Sequence, residues 1–184
     1  MGIQIEGHSS SRIAGVSEEN RLQTESIRMT TAEHTNKDEK EAYYLEFEQS
    51  PTANDDCIVY ILNESEKDLI VNAILLQVSA ACDVYIKLKD TGTRNSPTSL
   101  IPTNGNAGSG NIADGTFEYG ADLDGGAATL SGGSIVASFR FIAATNSTVY
   151  APPADWILPK NTSMTIWCSS SAATVKGNVL FYYH

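Results

Sequence analysis

The sequence predicts an all-β protein, an antiparallel β-sandwich of jelly-roll type preceded by an extended N-terminal arm. Three observations carry that expectation. From residue 42 onward apolar residues recur with a period of two, the spacing of strands with one buried face. About eight such segments are separated by turn residues with no long helical period between them, which restricts the body to a sandwich or barrel. The charge is also lopsided: residues 1–68 hold 15 Asp+Glu and 6 Lys+Arg, whereas residues 69–184 hold 7 and 6. Such asymmetry marks organisation along a chain, and 184 residues suit one domain with an appendage. The expected division is an arm at 1–41 and a sandwich at 42–184.

The arm is polar, with Ser9-Ser10-Ser11 and Thr30-Thr31, and offers few large apolar residues. Two pieces read as extended, Arg12-Ile13-Ala14-Gly15-Val16 and Arg21-Leu22-Gln23-Thr24-Glu25-Ser26-Ile27, joined by a turn at Ser17-Glu18-Glu19-Asn20. A segment this poor in apolar surface cannot offset the entropy of ordering itself. It is expected to lie against another surface by adding to a sheet edge. Arg12, Ile13, Val16, Arg21, Leu22 and Ile27 are the predicted assembly contacts. Asn36-Lys37-Asp38-Glu39-Lys40-Glu41 reads as the start of a short helix.

In the body, Tyr43, Leu45 and Phe47 share one face of the first strand. Cys57 to Leu62 and Leu69 to Val78 are apolar on both faces, and the six polar residues 63–68 between them predict a hairpin. Cys82, Val84, Ile86 and Leu88 alternate with Asp83, Tyr85, Lys87 and Lys89, as a half-buried antiparallel strand requires. Later strands are expected at 98–101, 134–143, 163–169 and 174–183. In the second of these Ile135, Ala137, Phe139 and Phe141 should face one way. Between them, residues 104–133 hold 9 of the 14 glycines and read as a long loop at one end of the sandwich, with a short strand around Phe117 and Tyr119.

Chemistry is sparse. His8 and His34 fall in the arm and His184 is the last residue, so no rigid constellation is expected around them. A net charge of −10 with scattered Lys and Arg argues against nucleic acid as the partner. No apolar run reaches the length of a membrane span, and no signal-peptide pattern opens the chain. Cys57, Cys82 and Cys168 lack the short spacings of zinc sites and read as buried free thiols. Asp122-Leu123-Asp124-Gly125 resembles part of a calcium loop, which Asp114 and Glu118 would have to complete. Asp122, Asp124 and Trp156 are the candidate ligand-binding residues, the last as an aromatic platform for a sugar. The expectation is a non-enzymatic protein with no catalytic residues, no cofactor and no dedicated metal site.

The C-terminal third carries a resemblance. Asp155-Trp156-Ile157-Leu158-Pro159-Lys160-Asn161-Thr162-Ser163-Met164 is similar to the Leu-Pro-Lys-Gly-Ser lead-in to a late strand in tailed-bacteriophage virion proteins, with Asn161 where that group prefers Gly. Gly177-Asn178-Val179-Leu180-Phe181-Tyr182-Tyr183-His184 resembles their closing strand. Gly15-Val16-Ser17-Glu18-Glu19-Asn20-Arg21-Leu22-Gln23 resembles their Val-x-x-x-Asn-Arg-Leu signature, and the 57–78 segment a further element. The resemblance implies a virion structural protein, assembled in the host cytoplasm, rather than a particular station on the virion; the first expectation is a capsid decoration (cement) subunit. Its implied partners are other virion proteins, a major capsid or neck or tail protein, and further copies of itself, a trimer being one arrangement. A neck, collar, tail or fibre component, or a carbohydrate- or receptor-binding sandwich, is the alternative.

Overall fold

The computed structural model describes residues 6–7, 10–13, 31–144, 148–152 and 155–184. The chain divides into two compact units, Met1–Thr30 and Thr31–His184. In the first, β1 (Glu6–Gly7) pairs antiparallel with β2 (Ser10–Ile13), Glu6 opposite Ile13 and Gly7 opposite Ser10. Of the expected assembly contacts, Arg12 and Ile13 fall on β2. Val16, Arg21, Leu22 and Ile27 lie outside the described residues.

The second unit begins at Thr31 rather than at residue 42. A single helical turn, α1 (Thr31–His34), runs into a wide turn at Thr35–Glu39, which Lys40 closes in the left-handed region at φ 60, its N–H donating to the Thr35 carbonyl at 2.7 Å. Thr35 is fully buried. The side-chain amides of Asn104, Asn106 and Asn111 donate to the carbonyls of Lys40, Asn36 and Glu39, stitching this turn to the sandwich. The acid moves with the boundary. Residues 1–30 hold 4 Asp+Glu against 3 Lys+Arg, a balance of −1, while residues 31–68 hold 11 against 3, a balance of −8.

Twelve strands follow among the described residues: β3 (Ala42–Gln49), β4 (Asp56–Asn63), β5 (Leu69–Val78), β6 (Cys82–Leu88), β7 (Thr98–Ser99), β8 (Thr103–Asn104), β9 (Gly115–Tyr119), β10 (Ser134–Phe141), β11 (Thr148–Tyr150), β12 (Trp156–Leu158), β13 (Ser163–Cys168) and β14 (Val175–Tyr183). One sheet has the order β10-β6-β13-β4-β9-β7. The other has β11-β5-β14-β3-β8, with β12 pairing further along the same edge of β5 as β11. All pairs are antiparallel. The pairing is nested: β3 with β14, β4 with β13, β5 with β11 and β12, β6 with β10. Each of these strands lies in the opposite sheet from the one before it.

The nesting overturns the hairpin expected from residues 57–78. β4 and β5 belong to different sheets, and residues 63–68 turn a corner between them. Asn63, wholly buried, makes the corner: its amide nitrogen donates to the carbonyls of Lys67 and Leu158, both at 2.8 Å, and its Oδ1 accepts the Ser65 N–H. A local pattern of strand, turn and strand is the same for a hairpin and for a corner. Asn161, standing where glycine was expected, takes φ 62 and donates its N–H to the Asn63 carbonyl at 2.7 Å. Asn adopts this conformation at lower cost than most residues.

The inner faces meet in one core that includes Leu45, Ile61, Ile74, Ile86, Met164 and Phe181. Phe181 stacks on Tyr43 and Phe117 at centroid distances of 5.5 and 5.3 Å. A bulge opposite β13 turns both Ile58 and Val59 inward. Another, between Ile135 and Ala137 on β10, breaks the expected alternation: Phe139 and Phe141 reach the core, but Ile135 is 57% and Val136 40% exposed.

All three cysteines are free and buried. Burial raises each thiol's pKa; that of Cys82 is pushed up to about 12, with the neighbouring Cys168 adding to the effect. Thiolates are the reactive species. The folded protein is therefore expected to release no colour from a disulfide thiol reagent at pH 8, and to release three equivalents once unfolded in guanidinium.

Candidate functional site

The glycine-rich segment does not sit at an end of the sandwich. Residues 120–133 fold over the outer face of the sheet containing β4, β13 and β6. Leu123 and Leu130 are buried there against Cys57, Tyr60 and Trp167, forming a second apolar cluster behind the main core. The bulge in β4 makes this two-sided strand work, since Cys57 and Tyr60 face outward while Ile58, Val59 and Ile61 face in.

One carboxylate holds the segment down. Asp90, just past β6, is 2% exposed. Its Oδ2 accepts Thr165 Oγ1 at 2.5 Å and Trp167 Nε1 at 3.1 Å, and its Oδ1 accepts the Gly133 N–H at 2.7 Å. Its carbonyl accepts the Ser163 hydroxyl. Gly133 approaches so closely that a Cβ there would collide with the carboxylate. Thr91 and Ser131 bridge the two segments through their backbones. Next to this network the Lys87 ammonium lies 3.4 Å from the centre of the Trp167 ring. A buried charge is tolerable only when paired or fully hydrogen-bonded, and here the donors are supplied.

The same loop presents the acidic turn. Asp122 and Asp124 come together with Asp56, at the start of β4, their ligand oxygens all within 4.8 Å of one another. Asp56 Oδ2 accepts the N–H groups of Thr52 and Ala53, at 2.9 and 2.6 Å. Asp124 Oδ1 accepts the Cys57 N–H at 2.5 Å, and the Leu123 N–H donates to the Cys57 carbonyl at 2.9 Å. At Gly125 a side chain would run into the Asp122 carboxylate, so glycine closes the turn. The Asp124 carboxyl titrates above its usual range because it is partly buried, and the charges of Asp56 and Asp122 add to that; its backbone hydrogen bonds oppose it. Three such oxygens suit a hard divalent cation, although two of the groups already spend lone pairs on the fold.

Asp122 and Asp124 are thus brought together, but not with the partners expected. Glu118 forms a fork with Arg94, at 2.7 and 3.3 Å, whose guanidinium lies 4.4 Å from the centre of the Tyr60 ring. Asp114 offers its backbone carbonyl to the Tyr183 hydroxyl at 2.7 Å. Asp56 takes the third place, and nothing in its local sequence signals it. Trp156 is placed apart, on β12 of the other sheet. Its ring centre is 5.7 Å from Tyr150, which lies 5.0 Å from Phe139, and it packs against the main core. Asp90 is the residue that sequence reasoning passed over, since Lys89-Asp90-Thr91-Gly92 reads as an ordinary polar turn. No family model matches the chain, and no curated protein matches it.

Asp90→Asn puts an amide donor among donors, so it should cost about 2–3 kcal/mol, or roughly 5–10 °C in Tm for a chain of this size. Gly133→Ala should fall in the same direction; differential scanning calorimetry reads both. Asp124→Asn keeps the acceptor for Cys57 N–H and removes one of three close charges. Because the folded-state pKa of Asp124 is raised, wild-type stability declines as pH rises from the ordinary carboxylate range through that pKa. The variant should therefore melt higher than wild type at pH 7, with the gap closing as the pH falls below about 4.

Proposed function

We propose that this protein is a non-enzymatic structural component of a tailed-bacteriophage virion, and within the virion a capsid decoration (cement) subunit. The observation that carries the reading is the division at Thr30 into two compact units, the second of which contains both six-stranded sheets and the core of the described residues. A short N-terminal arm outside a self-sufficient domain can anchor it by β-addition to a shell protein. The nested antiparallel pairing of the sandwich supports reading it as a jelly roll, an architecture used in capsid proteins. The resemblance in residues 15–23, 155–166 and 177–184 supplies the tailed-phage assignment. Charge supports the orientation: a nearly neutral arm carrying Arg12, Arg21 and Arg28 faces the shell, and the acidic sandwich is displayed outward, away from packaged DNA. The sugar-binding alternative has less support, since the Trp156 ring is half-buried beside Tyr150 rather than offered as a platform.

The test is deletion of residues 1–30, not 1–41, because Thr35, Asn36 and Lys40 are bound into the sandwich. The truncated protein should keep a β-rich circular dichroism spectrum and a cooperative melt, yet fail to co-sediment with virions assembled without the protein. Full-length protein should bind them. Undiminished binding by the truncated form would sink the anchoring role.

A further inference from the structure

Each sheet of a sandwich leaves two edges whose unpaired N–H and C=O groups invite another strand, and natural proteins blunt them. Three of the four edges here are blunted. β7 and β8, each of two residues, lie along one side, and the part of β3 that β8 leaves uncovered carries the exposed Glu46 and Glu48. On the other side, β11 and β12 are three residues each, separated by a segment containing Pro152. β10 is different: it runs for eight residues, contains no proline or lysine, and among the described residues pairs on one side only, with β6. Its one charged residue is Arg140.

Several exposed apolar side chains gather around that edge. Ile135 and Val136 on β10 are exposed by the bulge, and Ile142, which follows it, is 84% exposed. On the adjoining edge of the other sheet Val149 and Ile157 are 64% and 54% exposed. Across residues 134–158 the only charged residues are Arg140 and Asp155, in a chain of net charge −10. Two copies of so acidic a protein repel across most of their surface and meet at least electrostatic cost here.

We infer that β10 is the interface between two copies of this chain, which pair their β10 strands antiparallel about a two-fold axis and continue one sheet into the other. The strand is self-complementary in the way this requires. Arg140 lies near one end, so antiparallel pairing centred on Ala137 and Ser138 sets each Arg140 opposite the partner's Ile135 and holds the two guanidinium groups at opposite ends. Isologous contacts of this kind close on themselves and leave no edge free for growth. The inference goes beyond the function proposed above and does not depend on the virion.

The full-length protein, measured by light scattering after size exclusion at about 50 µM, a concentration suited to interfaces of ordinary strength, should show twice its 19.8 kDa chain mass. Ile135→Glu combined with Val149→Glu changes two exposed side chains, so it should keep a β-rich circular dichroism spectrum and a cooperative melt while halving the mass. Deuterium exchange should be slow in the β10 amides not bonded to β6 in wild type and fast in the double variant. A wild-type monomer, or a double variant that stays dimeric, overturns the proposal. So does a protein lacking residues 1–30 that becomes monomeric, because the edge would then be covered by the N-terminal segment. Dimerisation is read in the free protein, so its failure leaves virion anchoring standing, and lost anchoring leaves the dimer standing.

Discussion

The sandwich depends on backbone pairing between residues far apart in the chain. β14, near the C-terminus, lies between β3 and β5 and is hydrogen-bonded to both along nearly its whole length. β13 is held in the same way between β4 and β6. Neither central strand has a partner supplied by its immediate neighbours in sequence. Such pairings bring their loop-closure cost before their reward, so folds built on them assemble slowly and cooperatively. The same arrangement makes the described body a single unit, since no half of the 31–184 segment owns a complete sheet.

That dependence explains what could and could not be read from the amino acids. Burial on one face forces alternation, so the strands around Leu45, Ile86, Ile166 and Phe181 announced themselves. β8, β11 and β12 are too short for any period to emerge, and β11 and β12 owe their place to β5 alone. Residues 57–78 misled because the corner at Asn63 uses the same polar residues as a hairpin turn, and what distinguishes it is a bond to Leu158, in a distant segment. The bulge at Val136 was hidden for a similar reason: an extra residue changes which side chains are buried without changing their identities. At the acidic turn, Asp122 and Asp124 were visible as a pair, but Asp56 joins them only through the path of β4.

Charge follows the fold rather than the boundary drawn from composition. The acid-rich residues 31–68 contribute α1, the turn after it, β3 and the corner before β5, so the negative charge belongs to the sandwich. Part of it is locally compensated: Lys67 meets Glu41 at 2.6 Å, Lys176 meets Glu48 at 2.8 Å, and Lys160 meets Glu66. These are exposed pairs whose worth is small.

The outer-face cluster has an optical consequence. The chain has two tryptophans, and the fold gives one to each sheet. Trp167 is sealed beneath residues 120–133, its indole N–H held by Asp90 and its ring covered by a lysine ammonium. Trp156 sits half-exposed at the β12 edge among aromatic neighbours. Lifting the glycine-rich flap would wet the first indole while the sheets stayed paired, and fraying of the β5 edge would wet the second while the flap stayed down. Two separate motions of one cooperative domain thereby acquire two separate fluorophores.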